Sequence, residues 1–278
     1  MGNSNEAPFT TKRRVTHPDQ MPIDVRDGIK GVFVDIDDTL TSGGRLTAQA
    51  YQALQGLHDA GVLVIPVTGR PAGWCDHIAR MWPVNAVVGE NGAFYFRYDH
   101  NVRQMQRRYY DDQRERLANS ERLQSLAATI IERVPSVRIA ADQAYRESDL
   151  AIDYCEDIPR AEDSAVDEVV DIFHESGATA KVSSIHINGW FGEYDKLTMS
   201  KLLMRECFHC DLDAERERFV FVGDSPNDQP MFGYFPNSVG VANIDRYAAR
   251  LEQWPRFVTC NECGAGFAEL ADWLLQRR

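Results

Sequence analysis

Three segments of this 278-residue chain place acids, a hydroxyl and small residues directly after apolar runs. Asp35-Ile36-Asp37-Asp38-Thr39 follows residues 29–34, Thr68-Gly69-Arg70 follows 62–67, and Gly223-Asp224-Ser225-Pro226-Asn227-Asp228 follows 218–222. If those runs are parallel strands, their carboxyl ends lie along one edge, where open α/β sheets bind ligands. Asp35, Asp37, Asp38, Asp224 and Asp228 then crowd negative charge onto that edge, which calls for a cation. Oxygen-only ligands suit Mg²⁺, which takes few carboxylates and keeps water. The same edge can hold an anion. Thr68 offers a hydroxyl, the turns at 35–38 and 68–69 can aim backbone N–H groups at an oxyanion, and Lys196 opens a helical stretch that could return its ammonium. Acids, a divalent cation, a hydroxyl and a lysine together fit a transferring phosphoryl group.

The elements that must position these residues alternate. Residues 46–60 carry Leu46, Ala50, Ala53, Leu54 and Leu57 at helical spacing and stop at Gly61. A strand at 62–67, a helix at 71–82 and a strand at 86–88 follow, so a parallel sheet with helices on both faces is expected. Residues 94–190 read differently: strands at 94–98 and 104–110, a long helix at 112–134, short strands at 137–140 and 151–154, an amphipathic helix at 163–176, and strands at 178–182 and 184–188. The alternating rhythm then resumes with a helix at 196–208, strands at 218–222, 239–241 and 257–259, and helices from 228, at 245–253 and at 265–276. The expected fold class is therefore α/β, a doubly wound Rossmann-like core (28–92 and 191–278) with an inserted α+β unit (93–190). Residues 1–27 are polar, with Pro8, Pro18 and Pro22, and read as a flexible lead-in.

Composition excludes several classes of function. With 30 Lys+Arg against 42 Asp+Glu, the net charge of −12 opposes binding to a polyanion, so no nucleic-acid partner is expected. No apolar run approaches the roughly 20 residues of a membrane span. The amino terminus shows no signal-peptide segment and has Glu6 where a myristoylation signal wants Ser or Thr. Six cysteines are too few for a disulfide scaffold. A cytoplasmic setting is expected, with a homo-oligomer left open.

VFVDIDDTL (32–40), VIPVTGR (64–70), YDKL (194–197) and FVGDSPND (221–228), in this order, resemble the four motifs of the haloacid dehalogenase-like hydrolase superfamily. The insertion between the second and third resembles the subgroup with a large α/β cap, whose members are mostly Mg²⁺-dependent phosphatases of sugar phosphates and similar metabolites. GDSPND is also similar to the signature of mannosyl-phosphoglycerate and sucrose phosphatases. The resemblance implies Asp35 as the nucleophile that forms an aspartyl-phosphate, and Asp37 as general acid and then base. It implies Mg²⁺ held by Asp35, the Asp37 carbonyl and Asp224, with Asp228 a further ligand or an orienter of Lys196. Thr68 and Lys196 would hold phosphoryl oxygens. Asp38 stands where many members have Gly and is expected to point away. The substrate implied is a small phosphorylated metabolite. A phosphomutase using the same chemistry, or a phosphate-binding regulatory protein without turnover, are the rivals.

Other residues admit two readings each. Arg70 either grips substrate or cap, or is a surface arginine at a helix start. Asn91, in GENG, either contacts substrate at the core–cap junction or serves a turn that needs left-handed backbone. Gly69 belongs to the anion-binding turn. Arg146, Glu147, His186 and Asn188 are candidates for substrate selection within the insertion. Cys207-x-x-Cys210 and Cys260-x-x-Cys263 have zinc-ligand spacing, but the first pair closes a helix and the second follows a strand, which puts them at opposite sheet edges. No shared zinc site is expected.

Overall fold

A computed structural model describes residues 16–276. In chain order, α1 (Ile23–Gly28) leads into β1 (Gly31–Val34), a small hairpin of β2 (Thr41–Ser42) and β3 (Arg45–Leu46), α2 (Ala48–Asp59), β4 (Leu63–Pro66), α3 (Ala72–Met81) and β5 (Val87–Gly89). Thr47 caps α2 by accepting from the Ala50 N–H, and Gly61 ends it with a positive φ of 75°. Next come β6 (Phe94–Asp99), β7 (Gln104–Tyr109), α4 (Gln113–Arg133), β8 (Arg138–Ile139), β9 (Leu150–Asp153), α5 (Asp163–Glu175), β10 (Thr179–Val182) and β11 (His186–Trp190). The chain closes with α6 (Lys196–Phe208), α7 (Leu212–Glu215), β12 (Phe219–Gly223), α8 (Gln229–Tyr234), β13 (Asn237–Gly240), β14 (Phe257–Val258) and α9 (Cys263–Leu275).

The central sheet is all parallel, in the order β14-β13-β12-β1-β4. β1, β4 and β12 read as near-continuous apolar runs because both faces are buried. Val32, Val34, Val64, Val220 and Val222 face one apolar cluster, roofed by α2, α3 and α9. Phe33, Ile65, Phe219 and Phe221 face a second, roofed by α6 and α8. Each strand thus splits its residues by twos between two layers. After β1 the chain builds toward β4, then returns on the other flank at β12. Ligand-binding crevices open where strand order reverses in this way.

The inserted unit has its own apolar cluster, which runs from Leu123 to Phe191 and includes Ile130, Val169, Phe173 and Ile187. Helices α4 and α5 cover one face of the antiparallel sheet β10-β11-β9-β8. The other face carries His186 and Asn188 of β11 and Asp153 of β9, all buried, and β10 packs against the turn at Pro226–Asp228.

Two boundaries differ from the sequence expectation. The β6–β7 hairpin is continuous with the core rather than the insertion: β5 pairs with β6, Val88 bridges Val67, and Phe94 and Phe96 join the first core cluster. The insertion therefore departs after Tyr110 and returns at Tyr194, whose rings stand 5.6 Å apart. Of the expected lead-in, residues 1–15 lie outside the described residues, but 16–28 are built into the fold. Thr16 bridges Phe257, Met21, Val25 and Ile29 recur every fourth residue against the core, and Arg26 lies over the Trp273 ring at 4.8 Å. The polar composition of this stretch conceals that stripe. The helix expected at 245–253 is instead a 3-10 run, Ala242–Arg250.

Candidate active site

Asp35 and Asp224 follow β1 and β12, neighbouring strands whose last rungs are Val34 with Val222 and the Asp35 N–H with the Val222 carbonyl at 2.9 Å. Asp228 closes the turn after Asp224. Its Oδ2 accepts the backbone N–H groups of Asp224 and Ser225, at 3.1 and 3.3 Å, which folds the turn around its own side chain. Lys196, first residue of α6, brings Nζ to 2.7 Å from both Asp35 Oδ1 and Asp228 Oδ1. All four side chains are buried. Burial pushes Asp35 up to about 8, against the pull of Lys196 and with Asp228 adding to the rise. Burial also raises Asp224 well above the carboxylate range. Desolvation alone would discharge Lys196, but Asp228 and Asp35 outweigh it and hold the ammonium above its ordinary range.

These acids fit a divalent metal. Asp35, Asp224 and Asp228 each offer an oxygen within 4.8 Å of the others, and a single ammonium leaves their charge uncompensated. Thr39 Oγ1 donates to Asp224 Oδ1 at 2.9 Å, and Asn243 Nδ2 reaches Asp224 Oδ2 at 3.2 Å, so the ligand is oriented from two sides. On the neighbouring strand end, Thr68 Oγ1 accepts the Arg70 N–H at 3.0 Å, which leaves its hydroxyl proton for an oxyanion. Asp37 lies outside the triad. Arg70 bonds both its oxygens and reaches across to Glu156 and Asp142 of the insertion.

Residues 32–119 match the sequence family of haloacid dehalogenase-like hydrolases. Solved structures share the fold. A Thermoplasma acidophilum protein superposes with a TM-score of 0.66 at 20% identity, over 88% of this chain and 98% of its own. The sucrose-phosphatase of a Synechocystis species, solved with sucrose and phosphate, gives 0.60 at 16%, over 88% and 97%. A protein described as a subclass IIB sugar phosphatase gives 0.55 at 15%, over 83% and 93%. No curated protein matches.

Arg70 is a buried junction and not a surface arginine: it is 3% exposed and stacks on Trp74 at 4.4 Å. Against the effect of burial, His186 and Arg70 hold Glu156 down at about 2. Two clefts meet at the Arg70–Asp37 pair. One, of 320 Å³, is lined by Asp38, Glu156 and Ser184, and the other, of 460 Å³, by Trp74, His77, Trp82 and Tyr145. Asn91 has the left-handed backbone of its turn reading, with a φ of +53°, and its buried Nδ2 has no hydrogen-bond partner. That Nδ2 stands 3.1 Å from where a Cβ on Gly69 would lie, with Asn188 Oδ1 at 3.4 Å, so only glycine at 69 leaves the space between core and insertion open.

The Arg146 side chain is buried, paired to Asp142 and Asp149, and donates to the Gly69 carbonyl at 2.8 Å. Asn188 Nδ2 donates to Asp149, while Glu147 pairs with Arg116 at the surface. Asp38 has a φ of +54°, a left-handed geometry that explains why glycine is tolerated at such a position. Lys201 pairs with Asp213 and Lys181 is exposed, so Lys196 alone of the three serves the site. Sequence reasoning missed Thr39 and Asn243 as ligand-orienting residues. Both follow strand ends at the same edge, which is the signal that finds them. Among the described residues no helix is long and apolar enough to cross a membrane. The cysteines are free, and the two pairs serve different places: Cys207 and Cys210 contact Gln106 and Glu215, and Cys260 lies beside His17 and Glu269.

Proposed function

We propose that the chain is a Mg²⁺-dependent phosphatase of a small phosphorylated metabolite, with a sugar phosphate the favoured substrate, acting through an aspartyl-phosphate on Asp35. The observation that carries this reading is the buried Lys196 ammonium between Asp35 and Asp228 beside Asp224. An ionised carboxylate needs no base to attack phosphorus. It needs shielding from the phosphoryl charge, and an ammonium, the Thr68 hydroxyl and backbone N–H groups provide it. Asp35, Asp224, Asp228 and the Asp37 carbonyl would hold Mg²⁺, which when bound neutralises charge on the transferring group.

An Asp35 oxygen forms the bond to phosphorus as the bond to the leaving oxygen breaks, and Asp37 delivers a proton to that oxygen. Asp37 then takes a proton from water, the water oxygen bonds to phosphorus, and the Asp35–phosphorus bond breaks to release inorganic phosphate and restore Asp35. The insertion selects the leaving group. Its core-facing side is polar, with Asn188, His186 and Glu156, which suits a hydroxyl-rich substrate and accords with neighbours described as sucrose and sugar phosphatases.

Release of inorganic phosphate from a panel of metabolite phosphates tests the proposal, comparing native protein with Asp35→Asn, each with Mg²⁺ and with chelator. Release that requires both Mg²⁺ and Asp35 is the expected result. Release that survives Asp35→Asn overturns the mechanism. Isomerised sugar phosphate without free phosphate marks a mutase, and binding without turnover a regulatory protein.

A further inference from the structure

We infer that His17, Cys260 and Glu269 form a second metal site, distinct from the acidic triad and suited to Zn²⁺ or a similar thiophilic divalent cation. Each offers one ligand atom, and the three atoms lie within 4.8 Å of one another. Ligands at Zn–N, Zn–O and Zn–S distances of about 2.0–2.3 Å sit roughly 3.3–3.8 Å apart in a tetrahedron, so a cation entering between them needs His17 Nε2 and Glu269 Oε1 to part by about 1 Å. A mixed imidazole, thiolate and carboxylate set selects zinc over magnesium. Three protein ligands leave a fourth position for water.

Two features beyond proximity point to a metal. His17 stands between carboxylates on both ring nitrogens: Nε2 meets Glu269 Oε1 at 2.5 Å, and Nδ1 lies 2.9 Å from Asp19 Oδ1, with the Asp19 N–H at 3.3 Å. A ligating histidine whose other nitrogen donates to a carboxylate is the usual support of a zinc-bound imidazole. Glu269 is held in place by the loop that carries the thiol. Its Oε1 accepts the Cys260 N–H at 2.9 Å, and its Oε2 accepts the Asn261 N–H at 3.0 Å and Asn261 Nδ2 at 2.6 Å. The site joins the turn at Pro18–Gln20 to the loop before α9, two parts far apart in sequence.

The test uses the full chain, stripped by chelator and returned to saturating Mg²⁺ so that the acidic triad is occupied. Titrated Co²⁺ is expected to bind once per chain with a thiolate-to-cobalt charge-transfer band in the near ultraviolet, and Zn²⁺ to displace it. Cys260→Ser, a change at an exposed position, abolishes the band, and His17→Gln weakens binding at least tenfold. Asp19→Asn weakens it by about 10–100-fold, as loss of a carboxylate behind a ligating histidine does. No band in the native protein, a band undiminished in Cys260→Ser, or unchanged affinity in His17→Gln overturns the assignment. None of these readouts depends on phosphatase activity.

Discussion

The guanidinium of Arg70 bonds both carboxylate oxygens of Asp37, Nε standing 3.0 Å from each and Nη2 2.8 Å from Oδ1. This arrangement suits the second half of the proposed cycle, in which Asp37 takes a proton from water. For the first half, the guanidinium must yield one Asp37 oxygen to the leaving group. Because Arg70 also holds Glu156 and Asp142, that exchange is felt by the insertion. Arg70→Met should cost about 3–5 kcal/mol of stability, since it strands buried acids. Arg70→Lys keeps the charge and loses the fork, and should lower kcat about tenfold or more with a smaller stability loss. Thermal unfolding and steady-state kinetics on both variants check this.

Mg²⁺ affinity should rise with pH. In the metal-free protein burial holds Asp35 up at about 8, so below that pH a proton must leave before the carboxylate can ligate. The sign follows: affinity is lost as pH falls through 8, by up to about tenfold per pH unit for this one group. Calorimetric titrations at several pH values, in buffers of different ionisation enthalpy, read both the slope and the protons released. Asp35→Asn should flatten the slope.

Asn91 separates binding from strain. Asn91→Gly removes the unpartnered Nδ2 while relieving the positive φ. It should reduce kcat/KM by about 10–100-fold, the worth of one hydrogen bond to a charged group (~1.5–3 kcal/mol), chiefly through KM, with little change in melting temperature. Asn91→Ala should lose the same activity and also stability, because alanine tolerates that backbone poorly. Equal melting temperatures for the two would refute the strain argument.

Gly92 sets the position of Lys196 from a distance. A Cβ on Gly92, whose φ is +109°, would lie 2.0 Å from the Asp195 carbonyl oxygen and 2.9 Å from the Lys196 nitrogen. Gly92→Ala should destabilise by roughly 2–4 kcal/mol and displace the start of α6, so that activity falls more than a surface alanine would explain. Activity and unfolding measured together distinguish this from simple loss of folded protein.

The candidate site of this chain was legible because it sits where strands end. Asp35, Thr68 and Asp224 each follow a buried apolar run, and a single rule about sheet edges brings them together. Lys196 was legible as the residue that opens α6. What escaped was positioned by tertiary contact. Thr39 reads locally as a turn residue, and only β12 gives it Asp224 to hold. Asn243 lies in a 3-10 run whose apolar spacing imitates an α-helix. The hairpin β6–β7 has the polar edge of an inserted unit, yet Phe94 and Phe96 turn inward on the core. Met21, Val25 and Ile29 were hidden among prolines and charges.

Tyr110 and Tyr194 face each other where the inserted unit leaves the core and where it returns. Its two ends are therefore already joined, and its apolar cluster is its own. Such a unit can be exchanged for one of another shape without lengthening any connection of the core, since loop closure is satisfied at the point of attachment. Under the proposed function, turnover and substrate choice would in that sense be separate inheritances, and one contiguous stretch of sequence could be replaced to redirect the protein toward a new compound while Asp35, Thr68, Lys196 and Asp224 stay where they are.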